Sequence, residues 1–362
     1  MNVNYSAKNY YAVFVTHHLY YIPQFIPIAK ELIKRKKSIL FLLLGLDAPE
    51  QNEIAGNYLE KNGFPYRFYS KTEPSTSCIF MINSANSFPE INIDYKYSAL
   101  VLHGIGTKAG HFTEDKNVYD IRFVEGQFRV DKIKELYPDV KSKLYNVGFA
   151  KLDEAFAVNE MDKKDLMNMM GVDLSKRTIL YAPTFYPSSI DMMPDNFPEY
   201  FKEYNIILKP HFFSFTKKQY RKHVKKFNIW SNYNNFYLAG IEEFNLVPFM
   251  SVADIIISDE SSAIFEFAAL NKPVVVNRNV KFRLTYRLFK SKIRKRMDSN
   301  MDMFKEVGVP VYDFKELYPT VVYELEHPEN KETNRKEICE QIVGTVDGKV
   351  SKRIADVMDS LA

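Results

Sequence analysis

The chain has 362 residues, room for two domains of ordinary size, and its 46% hydrophobic and 26% charged residues exclude collagen, disordered tails and small disulfide scaffolds. Its formal net charge of +4 is unevenly placed: residues 278–296 hold nine Lys/Arg and no Asp/Glu, which leaves 40 Lys/Arg against 45 Asp/Glu elsewhere, and a general nucleic-acid binder is excluded in favour of one local positive patch. Two cysteines, Cys78 and Cys339, fit a reducing compartment and supply no metal cluster, and the longest near-apolar run, 39–46, falls far short of the roughly 20 residues of a membrane span.

The first nine residues are polar and lack the charged-then-apolar layout of a secretion leader, so a cytoplasmic protein is expected. A short apolar strand is predicted at 11–15, a helix at 22–34 (Ile26, Ala29 and Leu32 at helical spacing) and a second strand at 38–44. Further strands are predicted at 78–83, 98–102, 145–147, 178–181, 205–208, 254–258 and 274–276. Helices are predicted at 49–62, 131–135, 163–170 and 262–270, and Pro49 suits a first helical turn, where a missing N–H costs nothing. Residues 347–361 read as an amphipathic helix through Ile354, Val357, Met358 and Leu361. Short apolar strands alternating with helices specify an α/β protein built on parallel sheets. A boundary near 171–177 divides the chain into an N-terminal Rossmann-like domain over 1–170, a second over 171–345 and a terminal helix over 346–362. Doubly wound domains bind ligands at the carboxyl ends of their strands, so the chemistry is expected in strand-end loops between the two.

Those loops hold the unusual residues. His103-Gly104-Ile105-Gly106-Thr107-Lys108-Ala109-Gly110 follows the strand at 98–102; its glycines permit positive φ and close backbone approach, and its His and Lys suit binding or deprotonation. A tight loop with a structural histidine is the competing reading. Ala182-Pro183-Thr184-Phe185 is a rigid strand exit. Lys209-Pro210-His211 ends another strand; its Lys and His suit phosphate oxygens, and a His capping the sheet edge is the alternative. Ser258-Asp259-Glu260-Ser261-Ser262 joins a strand to a helix with two good N-cap residues, which describes a phosphate-binding helix start or a well-capped helix. His17 and His18 follow the first strand. Residues 278–296 have the spacing of a basic amphipathic helix, with Arg283, Arg287, Lys290 and Arg294 on one stripe and Phe282, Tyr286, Phe289 and Ile293 on another; an anionic lipid or polymer, or plain solvent, fits the basic face. There is no metal-ligand spacing, P-loop, GxSxG or GxGxxG, which argues against P-loop NTP hydrolysis, serine hydrolysis and simple dehydrogenase chemistry.

Taken in order, the loops resemble the CDP-glycerol glycerophosphotransferase family of teichoic-acid and capsule polymer enzymes. The family's H-G-T-x-x-K is matched by His103, Gly104 and Lys108, and its G-x-x-R-x-D by Gly148, Lys151 and Asp153. Its Y-A-P-T-W-R appears as Tyr181-Ala182-Pro183-Thr184-Phe185, and its K-x-H-P loosely as Lys209-Pro210-His211. Its D-x-S-S-x-x-F-D-F-A-x-L-N-K-P is matched by Asp259, Ser261, Ser262, Phe265, Glu266, Phe267, Ala268, Leu270, Asn271, Lys272 and Pro273, and its D-G-K-A-S-x-R by Asp347, Gly348, Lys349, Ser351 and Arg353. The chain departs from the pattern at Ile105 (Thr in the family), Lys151 (Arg), Tyr186 (Arg) and Glu266 (Asp). The tail motif also resembles UDP-N-acetylglucosamine 2-epimerases.

The resemblance implies a GT-B fold, with two facing Rossmann-like domains and the last helix crossing back to the first. It implies a transferase moving polyol phosphate from a CDP-alcohol such as CDP-glycerol to a hydroxyl of a glycan or lipid-linked acceptor, releasing CMP, with no cofactor. His103 would be the base, and His211 with Ser261 and Ser262 would hold the pyrophosphate. Lys209, Thr184, Asp259, Glu260 and Glu266 would complete the donor side, and Gly104, Gly106, Lys108 and His18 the acceptor side. A peripheral place at an anionic membrane would engage Arg283, Arg287, Lys290 and Arg294. The competing classes are a nucleotide-sugar glycosyltransferase, a nucleotide-sugar epimerase and a non-catalytic polyanion-binding module.

Overall fold

The computed structural model describes residues 9–45, 49–71, 76–84, 88–105, 109–282 and 301–362. Gly106, Lys108 and the patch residues Arg283, Arg287, Lys290 and Arg294 lie outside the described residues. By contact, the chain forms two compact units, one of Met1–Ile105, Gly110–Asp153 and Gly344–Ala362, the other of Gly106–Ala109 and Glu154–Val343.

In the first unit the chain runs β1 (Asn9–Thr16), α1 (Ile22–Lys34), β2 (Ile39–Leu43), α2 (Pro49–Lys61), β3 (Tyr66–Phe68), β4 (Thr76–Asn83), β5 (Ile93–Val101), β6 (Ile121–Val124), α3 (Gly126–Leu136) and β7 (Lys143–Asn146). The seven strands lie in the order β3-β2-β1-β4-β5-β6-β7 and pair in parallel. β2 and the last six residues of β1 are wholly buried, as strands covered on both faces must be. Val13, Val15, Leu40, Leu42, Met81 and Leu100 build one core face, and Phe14, Phe25 and Phe41 the other, with ring centroids 5.0–5.2 Å from Phe14.

A short helix α4 (Asp153–Ala157) leads out of this unit. The second unit runs α5 (Glu160–Met169), β8 (Thr178–Tyr181), α6 (Phe197–Tyr200), β9 (Asn205–Leu208), α7 (Phe213–Thr216), α8 (Arg221–Trp230), β10 (Phe236–Leu238), α9 (Val247–Val252), β11 (Ile255–Ser258), α10 (Ser262–Ala268), β12 (Val274–Asn277), α11 (Met301–Val307), β13 (Val309–Val311), α12 (Phe314–Glu326) and α13 (Glu332–Ile342). Its six parallel strands take the order β10-β9-β8-β11-β12-β13. Phe197, Phe201, Phe227, Trp230, Leu317 and Val321 pack on Ile179, Ile206, Leu208 and Ile257 of this sheet.

Both sheets have the doubly wound Rossmann order, reversing between β1 and β4 and between β8 and β11, and ligands bind in such folds outside the carboxyl ends of the strands at that reversal. The passage between units falls after Asp153 rather than near Gly171, because α5 packs on α9 of the second unit. α10 stops at Ala268, two residues before the predicted end, and Asn271 turns the chain with φ 57°. Of the predicted basic helix over 278–296, residues 278–282 are irregular and the remainder lies outside the described residues.

The last helix, α14 (Val350–Leu361), belongs to the first unit and packs on α1. Asp153 caps it from a distance, its carboxylate accepting from Val350 N at 3.0 Å, Ser351 N at 2.7 Å and Ser351 Oγ at 2.6 Å. Arg353 donates to the Val147 carbonyl at 2.8 Å and to both Asp347 oxygens at 2.9 Å. Gly148 has φ +95°, and a Cβ there would lie 2.9 Å from the Thr345 carbonyl oxygen and 2.9 Å from Val350 Cγ2. The Gly148–Asp153 and Asp347–Arg353 motifs are thus two halves of one interlock.

Candidate functional site

At the carboxyl end of β11, Asp259 is 2% exposed, and its carboxylate accepts from Thr184 N at 2.9 Å and Ser189 N at 3.2 Å. Burial pushes this carboxyl up to about 7, against those hydrogen bonds. The residue expected to touch the donor therefore ties the exit loop of β8 to the exit loop of β11. Ser258 Oγ donates to the Ala182 carbonyl at 2.6 Å and lies 3.0 Å from Ser261 Oγ, a second tie between the same loops. Ser261 occupies the N-cap of α10 with extended backbone and makes no side-chain cap bond. Glu260 pairs with Arg278 at the exit of β12, and Arg278 N is fixed by the Val311 carbonyl at 2.8 Å. That guanidinium offsets the acidic charge in the serine loop. Glu266 is 3% exposed on α10, within the packed layer.

Lys209 and His211 follow β9. The His211 ring packs 4.6 Å from Phe185 and 5.0 Å from Phe213. Its Nδ1 accepts the Phe213 N–H at 3.1 Å, so the neutral ring carries its proton on Nε2 and is a hydrogen-bond donor there. Asp259, Thr184, Phe185 and His211 form a chain of contacts from β11 across β8 to β9. Lys272, from the family motif, has a structural role: Nζ donates to the carbonyls of Met250, Ser251 and Ala253 at 2.9, 3.1 and 2.7 Å, closing the C-terminus of α9, and burial brings it down to about 8.

In the first unit, His103 follows β5 and is half-buried. Its Nδ1 lies 3.0 Å from the Ser84 carbonyl oxygen, which can only accept, so Nδ1 carries the proton and Nε2 the lone pair. Tyr21 and Tyr20 bound the ring at 4.3 and 5.2 Å. His18 stacks on Tyr20 at 4.9 Å and meets His17 at 4.4 Å, so the two histidines after β1 join His103 in one aromatic cluster at the sheet reversal. Gly104 has no positive φ, and a Cβ there would make only ordinary contact with His111 at 3.6 Å; its predicted conformational role is not borne out. Sequence reasoning missed Ser84 and the Phe213 N–H, which fix the imidazoles through backbone groups that no residue type advertises. Among the described residues, no group of three His, Cys, Asp or Glu is gathered to hold a metal, and no helix is long and apolar enough to cross a membrane.

Two Rossmann-ordered units with loop clusters at their strand ends define an α/β protein of the GT-B type. Solved structures share that fold: the wall teichoic acid polymerase TagF, in a variant soaked with CDPG, superposes with a TM-score of 0.69 at 14% identity over 98% of this chain and 88% of that one. The UDP-GlcNAc 2-epimerase from Neisseria meningitidis, bound to UDP-GlcNAc, superposes with a TM-score of 0.61 at 14% identity over 98% of this chain and 100% of that one. The family model for CDP-Glycerol:Poly(glycerophosphate) glycerophosphotransferase matches residues 69–359, and the chain belongs to that family. A teichoic acid glycerol-phosphate primase from Bacillus subtilis is 28% identical over 174 residues, 47% of this chain and 42% of the relative. A teichoic acid ribitol-phosphate primase from Bacillus spizizenii is 27% identical over 51% of this chain and 44% of the relative. The matched regions thus cover less than half the length of these curated relatives.

Proposed function

We propose that this protein transfers a polyol phosphate, glycerol phosphate first among the choices, from a CDP-alcohol to a hydroxyl of a cell-surface glycan or lipid-linked acceptor. The acceptor oxygen forms a bond to the β-phosphorus, the bond from that phosphorus to the bridging oxygen breaks, and CMP leaves with the bridging electrons. His103 Nε2 takes the hydroxyl proton. His211 donates from Nε2 to the departing phosphate, and Lys209 adds positive charge. Ser261 and Ser262 offer hydroxyl and backbone donors to the diphosphate. Glu260, neutralised by Arg278, is left to orient that loop or meet a ribose hydroxyl, and Glu266 supports the loop from within. His18 and Gly104 serve the acceptor side.

The observation that carries this reading is the opposite tautomers of the two imidazoles. The ring fixed by the Ser84 carbonyl presents a lone pair, and the ring fixed by the Phe213 N–H presents a proton. Family membership supports a CDP-alcohol as the donor class. The chain works, on this reading, at the inner face of the cytoplasmic membrane, held by the basic run 278–296, which anionic liposomes at rising salt would test.

A donor panel read by thermal shift tests the substrate. Stabilisation by CDP-glycerol or CMP above UDP-sugars is expected, rising with the logarithm of ligand concentration. Stabilisation by UDP-N-acetylglucosamine alone, with its conversion in the absence of acceptor, would replace the transferase by an epimerase.

A further inference from the structure

The first unit carries a buried cationic cluster that the transfer reading does not use. Lys116 is 1% exposed, Arg122 1% and Arg129 2%. Arg122 stands on β6, on the sheet face it shares with Val124, which packs with Phe112, Val130 and Ile133 under α3. Arg129, on α3, pairs with Glu125, donates to the Gly104 carbonyl at 3.4 Å and lies 3.3 Å from His111 Nδ1. Lys116 Nζ donates to Thr113 Oγ1 at 2.6 Å and lies 3.4 Å from Asp115. The cluster thus reaches the backbone of the turn that bears His103.

Arg122 donates through one terminal nitrogen, Nη1, to Asn117 Oδ1 at 2.9 Å. Its Nε and Nη2 have no hydrogen-bond partner among the described residues. These two nitrogens form one edge of the guanidinium, with parallel N–H groups spaced for two oxygens of one anion. Buried guanidinium donors without a partner are costly, and buried donors in native proteins nearly always have one. The ion pairs of the cluster are Lys116 with Asp115, whose side chain is 48% exposed, and Arg129 with Glu125; neither is made by Arg122. Burial and then Arg129 draw Arg122 down to about 10, against the nearby Glu125 and Asp115.

We infer that the Nε–Nη2 edge of Arg122, flanked by Arg129 and Lys116, binds a phosphate group. A tetrahedral oxyanion gives two oxygens to the edge and its remaining charge to the two flanking cations, which a monovalent carboxylate fills less well. The phosphate comes either free or on a phosphorylated polyol, and the two sources are separable by experiment.

Melting of the full chain is measured in inorganic phosphate, in sn-glycerol 3-phosphate and in sodium chloride at matched ionic strength. The wild type is expected to rise by about 2–4 °C in phosphate beyond the chloride control, growing with log concentration. Arg122→Met abolishes that rise, and His211→Ala keeps it, which separates this site from the donor site and lets it stand if the transferase reading fails. A larger rise in glycerol 3-phosphate than in phosphate assigns an organic phosphate, and the reverse assigns the free ion. No rise beyond chloride, or an equal rise in Arg122→Met, overturns the inference. Should Arg122→Met not fold, Arg122→Lys keeps the charge and loses the edge. Phosphate affinity read by 31P line broadening should then fall about tenfold or more in Arg122→Lys, and unchanged affinity overturns the inference.

Discussion

An imidazole does acid or base work according to which nitrogen its backbone neighbour has claimed. The Ser84 carbonyl claims the proton of His103 Nδ1, and the Phe213 N–H claims the lone pair of His211 Nδ1. Long-range 1H–15N spectra of the two rings are expected to show His103 protonated at Nδ1 and His211 at Nε2; matching tautomers would remove the division of labour. Asp259 adds a pH dependence at the same scale. Burial raises its folded pKa to about 7 from an unfolded value near 3.8, so the folded state holds the proton more tightly. Its contribution to stability is full below about pH 4 and is lost as pH rises to about 7. In Asp259→Asn the melting temperature should vary less between pH 4 and 7 than in the wild type, while the melt at pH 7 reads the tie to Thr184 and Ser189. An unchanged pH dependence would mean that Asp259 is ionised throughout. The sequence marked His103, His211 and the serine pair by residue type and strand-end position. It concealed the role of Asp259, because a carboxylate bonded to backbone N–H groups has the same letter as one bonded to a ligand.

Elements were legible where burial is continuous. β8, β9, β11 and β12 are four-residue strands, apolar or nearly so and buried along their length, and their reading held. β3 and β10 are sheet-edge strands of three partly exposed residues, too short for a pattern to register. β6 was hidden by Arg122, a charge within an apolar run. α8 did carry a signal in Val224, Phe227 and Trp230 at spacing three, and Phe227 and Trp230 are core residues. The interlock of α14 yields a sharp expectation. Gly148→Ala forces a side chain onto a positive φ and against the Thr345 carbonyl, so chemical denaturation should show a loss of about 2 kcal/mol or more. Asp153→Ala strips the cap from Val350 and Ser351, for about 1–3 kcal/mol. Wild-type stability in both would mean that α14 is not held by these motifs.

For the whole molecule, alternating strands and helices sufficed to specify two Rossmann-like units, without any repeat to announce them. The return of residues 344–362 to the first unit was implied by family resemblance, and its physical cause, Asp153 and Gly148 meeting Ser351 and Thr345, is written in residues far apart in the chain. The central proposal is that the two differently fixed histidines, His103 and His211, both take part in the phosphoryl transfer. Steady-state CMP release from CDP-glycerol, with a hydroxyl-bearing acceptor, measures it most directly in the wild type, His103→Ala and His211→Ala. His103→Ala should lower kcat by about 10²–10⁴ with donor affinity kept, and His211→Ala should weaken donor binding as well as turnover. Full turnover in either variant, or no CMP release from the wild type, would contradict the account.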